Sequence, residues 1–223
     1  MLTDAPATPS TVPLVLHGVL VVAAGSLLVV GAPQQAFARS YDMPKVDIAA
    51  EAQTDGSLHV VETRTFEFSG DYTAVWWTFD DLPDGAKMQI NGVRLTLPQH
   101  AGLGAGSGGS TVDLQSVPFQ SSWRDEGGPG TASYSFDEAK NTLYVFFSAS
   151  DETMVVTIDY TIIDGVQAFQ DVAEVYWQYV GAQWAEASSD VSMTLTLPVP
   201  AGEKVVPGEN VRAWGHGPLD GTV

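Results

Sequence analysis

Leu58-His59-Val60-Val61-Glu62-Thr63-Arg64-Thr65-Phe66-Glu67-Phe68 is the stretch on which the fold class turns. Its residues alternate, and Leu58, Val60, Phe66 and Phe68 fall on one face, the pattern of a half-buried β-strand. Just before it, Val46, Ile48, Ala50 and Ala52 alternate with Asp47, Glu51 and Gln53, and Asp55-Gly56 supplies the turn between two such strands. Strict alternation also turns Glu62 and Arg64 inward. A lone buried carboxylate costs several kcal/mol or takes up a proton. Glu62 and Arg64 are therefore read as a buried charge pair.

The same period continues along the chain. Trp76, Trp77 and Phe79 mark a strand ended by Leu82-Pro83-Asp84-Gly85, and Met88 to Leu97 marks another, bulged or turned at Asn91-Gly92. Leu143, Val145 and Phe147 alternate with Tyr144 and Phe146, so that strand is apolar on both faces. Met154, Val156, Ile158, Tyr160 and Ile162 share a face up to Asp164-Gly165, and Val191, Met193, Leu195 and Leu197 share one before Pro198. No stretch beyond residue 38 has a convincing helical period. About eight to ten strands with turn signals between them predict an all-β domain, an antiparallel β-sandwich of immunoglobulin-like or jelly-roll-like kind.

Val12 to Ala32 is uncharged and mostly apolar. As one helix it would span about 31 Å at ~1.5 Å per residue, close to the roughly 30 Å of a bilayer's hydrocarbon core. Pro33 follows, then Ala36-Phe37-Ala38, whose small residues suit signal-peptidase cleavage. Residues 1–38 are accordingly read as a signal peptide or membrane anchor containing one apolar helix, and residues 39–223 as an extracytoplasmic domain. The protein is expected at the cell membrane, or secreted if cleaved after Ala38. Arg39 and Lys45 follow the apolar run and no Lys or Arg precedes it, which alone would leave the C-terminal side in the cytoplasm. That count is set aside because a different translation start would change it.

The formal net charge is −18, and of 27 acidic residues only Asp4 precedes Arg39. An acidic domain lacks the basic face that nucleic acid requires and is not drawn to anionic headgroups. Membrane contact is therefore expected only through the N-terminal segment. With no cysteine, disulfides, thiol catalysis and zinc–thiolate sites are excluded.

Chemistry-bearing motifs are sparse. Gly104-Ala105-Gly106-Ser107-Gly108-Gly109 has dinucleotide-fingerprint spacing, but no helix follows to hold a pyrophosphate, so it reads as a loop. His59, His100 and His216 stand far apart, and no G-x-S-x-G elbow occurs. Asp80, Asp81 and Asp84, and separately Asp125 and Glu126, form acidic turns with oxygen ligands for calcium but without EF-hand spacing. A glycosidase would need a second carboxylate opposite Glu62, for which Asp159, Asp171 and Glu174 are candidates. Adjacent Trp76 and Trp77 point to opposite faces of a strand, so one is free to meet a sugar ring or a partner. With Trp177 and Trp184 they form the candidate interaction set. No catalytic residue and no cofactor is assigned.

One segment carries more. Asp171-Val172-Ala173-Glu174-Val175-Tyr176-Trp177-Gln178-Tyr179-Val180-Gly181-Ala182-Gln183-Trp184 is a distinctive aromatic–glycine signature. With Asp55-Gly56-Ser57-Leu58, Phe66-Glu67-Phe68-Ser69-Gly70, Ile158-Asp159-Tyr160 and Leu195-Thr196-Leu197-Pro198, it resembles the N-terminal ectodomain of bacterial predicted membrane proteins, domain of unknown function 2207. The resemblance runs roughly from Val46 to Val223. It implies a signal sequence, an extracytoplasmic β domain and then a transmembrane helix, so that this domain would be truncated at its C-terminus. The family has no assigned catalytic residues. The expected role is that of a non-enzymatic envelope module binding a protein or cell-wall component. The rivals are a carbohydrate-active enzyme or carbohydrate-binding module and a calcium-dependent adhesive module.

N-terminal sequencing of the mature protein checks the leader. A sequence beginning at Arg39 is expected, and retention of Met1 would contradict cleavage.

Overall fold

The hairpin anticipated around Asp55-Gly56 is formed by β1 (Ser40–Ala52) and β2 (Leu58–Ser69). Asp55 Oδ1 ties its turn by accepting from the Ser57 backbone N–H at 3.0 Å and the Ser57 hydroxyl at 2.7 Å. The computed structural model describes residues 39–80, 82–97, 109–123, 127–180, 184–199 and 202–214. The apolar leader, Asp81, His100, the glycine run at 104–108, Asp125, Glu126 and His216 lie outside the described residues.

The remaining strands are β3 (Asp71–Thr78), β4 (Lys87–Thr96), β5 (Thr111–Asp113), β6 (Gln115–Ser116), β7 (Ser133–Asp137) and β8 (Thr142–Ser150). Then come β9 (Thr153–Ile163), β10 (Gln167–Ala168), β11 (Ala173–Glu174) and β12 (Ser188–Thr196). They build a six-stranded sheet in the order β12-β1-β2-β9-β4-β5, a four-stranded sheet in the order β3-β8-β7-β6, and the small β10-β11 ribbon. All-β architecture was legible; a purely antiparallel sandwich was not. β12 pairs with β1, and β6 with β7, in parallel, so both main sheets are mixed. Alternation reports which way side chains point and says nothing about the direction of a neighbouring strand. Because β1 and β9 are both antiparallel to β2, β12 runs parallel to β9 as well. Parallel strands need a crossover, and here residues 164–187 supply it.

The two sheets share one core. From the large sheet come Val46, Ile48, Leu58, Val60, Phe66, Phe68, Val93, Leu95, Val156, Ile158 and Ile162. From the small sheet come Val75, Trp77, Leu143, Val145 and Phe147. Phe68 meets Phe147 across the interface at 5.5 Å between ring centroids. The chain changes sheets twice at one corner, from β2 to β3 and from β8 to β9. There the Gly70 N–H donates to Asp151 Oδ1 at 2.7 Å and the Phe68 N–H to the Glu152 carbonyl at 3.0 Å. The irregularity expected at Asn91-Gly92 is a break in register between β4 and β9.

Tyr144 and Phe146 explain why β8 is apolar on both faces. On the side away from the core, Phe119 stacks on Tyr144 at 5.3 Å and Trp123 meets Phe146 edge-on at 5.1 Å. Gly128 completes this cover. Its φ is +89°, and a Cβ there would lie 2.6 Å from the Phe146 ring. Gly128→Ala is expected to cost about 1–3 kcal/mol more than Gly85→Ala, because overpacking adds to the backbone strain. Gly85 has a similar φ of +85° and no neighbour within 4 Å. Urea denaturation of both variants checks this; equal losses would contradict it.

Candidate functional site

Alternation along β2 brings Glu62 and Arg64 to the inner face, as the sequence predicts, and both are almost fully buried. Two residues apart on one strand, they sit side by side. Arg64 Nε donates to Glu62 Oε1 in a close ion pair. The rest of the pair's hydrogen bonding comes from elsewhere in the chain. The Tyr160 hydroxyl on β9 donates to Glu62 Oε2 at 3.3 Å, and Arg64 Nη2 donates to the Tyr179 carbonyl at 3.4 Å. The guanidinium lies 4.8 Å from the Trp184 ring centroid and 5.9 Å from that of Trp77. Desolvated cation–π contacts of this kind contribute up to about 2 kcal/mol each.

The cover over the pair is the crossover itself. Trp177, Tyr179 and Trp184 are half-buried against the core. Trp184 packs on Phe66 at 5.8 Å and on Trp77 at 5.5 Å, and Trp177 stacks on Phe79 at 6.5 Å. Phe79 in turn meets Tyr160 at 5.1 Å. Between this cover and the sheet remains a cavity of about 50 Å³, lined by Glu62, Arg64, Trp77, Tyr160, Trp177 and Trp184, with Trp76 and Asp80 also on its wall. Arg64 Nη1 and Trp77 Nε1 are buried and have no hydrogen-bond partner among the described residues. Burial holds the Tyr160 hydroxyl well above the usual phenol range, and the negative charge of Glu62 adds to the effect. Burial also pushes Tyr179 up to about 12.

Several sequence candidates thus converge. Glu62, Arg64, Trp77, Trp177 and Trp184 form one cluster, with Trp76 beside it and 56% exposed. Trp76 and Trp77 do point to opposite sides of β3, since Trp77 is only 6% exposed. Asp80 lines the cavity wall and Asp84 sits in the following turn, while Asp81 lies outside the described residues. Among the described residues no three His, Cys, Asp or Glu side chains gather as metal ligands would. Asp159 does not oppose Glu62. It points to the other face of the sheet, where its Oδ1 lies 2.8 Å from His59 Nε2 and 2.8 Å from Asn91 Nδ2. Asp171 and Glu174 are exposed at the β10-β11 ribbon. Sequence reasoning missed Tyr160, Tyr179 and Phe79 as parts of the cluster. Tyr160 had a signal, because a hydroxyl in an otherwise apolar row needs a polar partner.

Fold and site together define an all-β domain of two mixed sheets, closed at one place by an aromatic crossover over a buried ion pair. The chain belongs to the family of predicted membrane proteins whose N-terminal domain is DUF2207; residues 42–223 match the family model. No curated protein matches it significantly in sequence. Among solved structures it is similar to one from Parabacteroides distasonis described as "a putative protease", with 12% identity and a TM-score of 0.25. That likeness covers 55% of this chain and 22% of the other.

Arg64→Met strands Glu62 in an apolar setting and is expected to cost about 3–5 kcal/mol. Glu62→Leu/Arg64→Met is expected to recover most of that loss, because two apolar side chains leave no charge unpaired. Urea unfolding of both variants checks this; a double variant no more stable than the single one would contradict it. Alkali supplies a second check. A phenol with a raised folded pKa favours the fold below its unfolded value near 10, and that contribution is lost as pH rises through the folded value. For Tyr179 the window is pH 10 to about 12. Tyr179→Phe is expected to flatten the fall in stability there, and an unchanged pH profile would contradict this.

Proposed function

We propose that this chain is a non-enzymatic, extracytoplasmic interaction module of a membrane protein, a β-sandwich that engages an envelope protein by adding the partner's strand to β12. The open β12 edge carries this reading. In the ladder, Val191, Met193 and Leu195 lie opposite Val46, Ile48 and Ala50, so they extend the core face of the large sheet. Val46, Ile48 and Ala50 are buried, whereas Val191 is 46% and Met193 37% exposed. Val191, Met193 and Leu195 share a face as the alternation implies, but only Leu195 packs partly against the core. β12 pairs with β1 on one side only among the described residues. Its nine residues hold no Pro, Lys or Arg and a single charge, Asp190, so the usual means of blunting an edge are nearly absent. An open strand edge is the template used in strand addition.

The closed state of Glu62 supports the non-enzymatic side. A glycosidase needs two carboxylates facing each other across the substrate, whereas Glu62 is held by Arg64 and Tyr160 and Asp159 faces away. Membership in a predicted membrane protein family and the apolar leader support a place at the cell membrane with the domain outside, or secretion after cleavage at Ala38. The test compares full-length wild type with Val191→Lys/Met193→Lys in affinity capture from envelope extracts. Proteins retained by the wild type and lost from the variant are expected. Equal retention by a variant with unchanged melting temperature would overturn the reading.

A further inference from the structure

We infer that the strand received by β12 is β12 of a second copy of this chain, paired antiparallel about a two-fold axis at Met193. This rests on the reading of the β12 edge as a strand template, and it names the strand. A two-fold dimer sets one surface patch against itself. An open edge strand meets that demand when its own sequence, run in the opposite direction, is complementary to it.

Symmetry restricts the registers. A two-fold axis perpendicular to the sheet keeps every side chain on its own face, so residues of equal parity face one another across it. With the axis at Met193, that residue faces its own copy, and Val191 faces Leu195 of the second copy. These three are the apolar positions of β12 on the core side of the sheet. Val191 is 46% and Met193 37% exposed, so the pairing takes apolar surface out of water. On the other face Ser192 meets Thr194 and Asp190 meets Thr196. Moving the axis to Ser192 would set Leu195 against Ser189. Moving it to Thr194 would set Asp190 against Pro198, which has no N–H to donate.

Charge permits the pairing at this edge. The chain carries a formal net charge of −18, which drives copies apart over most of the surface. The edge is spared. β12 holds one charged residue, Asp190, and Lys45 stands opposite it in the ladder to β1. Lys45 also pairs with Asp47 at 2.8 Å. In the Met193 register the two copies of Asp190 lie about 20 Å apart along the strand direction. That exceeds the roughly 8 Å Debye length at physiological salt, so they do not oppose assembly.

Because the chain has no cysteine, introduced cysteines read the register directly. Residues facing one another in an antiparallel pair have Cα atoms about 4.5–5.5 Å apart, within reach of a disulfide. Under mild oxidation the full-length chain carrying Met193→Cys is expected to form a disulfide-linked dimer. Val191→Cys is expected not to link to itself, its two copies lying about 14 Å apart, but to link to Leu195→Cys when the two variants are mixed. A strand pair of this length buries less than the ~1,600 Å² of a standard interface. Sedimentation of the full-length wild type is therefore expected to show a reversible, concentration-dependent dimer. Val191→Lys/Met193→Lys is expected to sediment as a monomer with an unchanged melting temperature. A wild type monomeric at every concentration, a dimer that survives the double lysine variant, or Val191→Cys linking to itself as readily as Met193→Cys would each overturn the inference. A monomer that still captures an envelope protein through β12 would sink the second copy alone. A monomer that captures none would sink the open-edge reading with it.

Discussion

Glu62 and Arg64 place two opposite charges on the inner face of a central strand, where apolar side chains would otherwise continue the core. Two unshielded ions cannot stay there; each needs its remaining lone pairs or N–H groups met. β2 lies between β1 and β9, so no neighbouring edge lets the pair reach solvent. Tyr160 on β9 meets one Glu62 oxygen, and the crossover brings the Tyr179 carbonyl and the Trp184 ring to the guanidinium. The aromatic crossover is thus the physical answer to a charged pair in a sheet interior. The topology carries its imprint. A chain leaving β9 and passing over the inner face reaches the far side of β1 running parallel to it. That direction is the one departure of the large sheet from antiparallel order.

The same arrangement leaves the β12 edge with unused bonding capacity. β12 offers a backbone edge and apolar side chains that the second sheet does not cover. The cavity beside the ion pair is walled by buried N–H groups and indole rings. An edge suits a polypeptide, because its specificity comes from main-chain pairing. Meanwhile the acidic groups best placed for chemistry are taken up by structural bonds. Glu62 holds Arg64, and Asp159 holds His59 and Asn91.

Period-two patterning made much of this legible from residue order. The strands around Asp55-Gly56, the two-faced apolar character of residues 143–147, the inward turn of Glu62 and Arg64 and the opposed Trp76 and Trp77 all follow from side-chain alternation, a local property. What alternation lacks is any knowledge of partners. It did not reveal that β12 pairs in parallel, because strand direction is set by where the connection runs. It did not reveal that Val191 and Met193 stay exposed, because that depends on the reach of the opposite sheet. The segment from Asp171 to Trp184 was recognisable as a signature, but its position over the ion pair was not. Trp177, Tyr179 and Trp184 belong to an irregular crossover with no period from which to read a face.

The claim that the aromatic crossover exists to house the charged pair makes the contact between Arg64 and Trp184 cooperative. A double-mutant cycle with Arg64→Met, Trp184→Leu and the double variant, measured by urea denaturation, isolates that coupling. The account predicts a favourable coupling of about 1–2 kcal/mol, the range of a desolvated cation–π contact. Strictly additive losses, with coupling near zero, would mean that crossover and ion pair are independent, and would contradict the account.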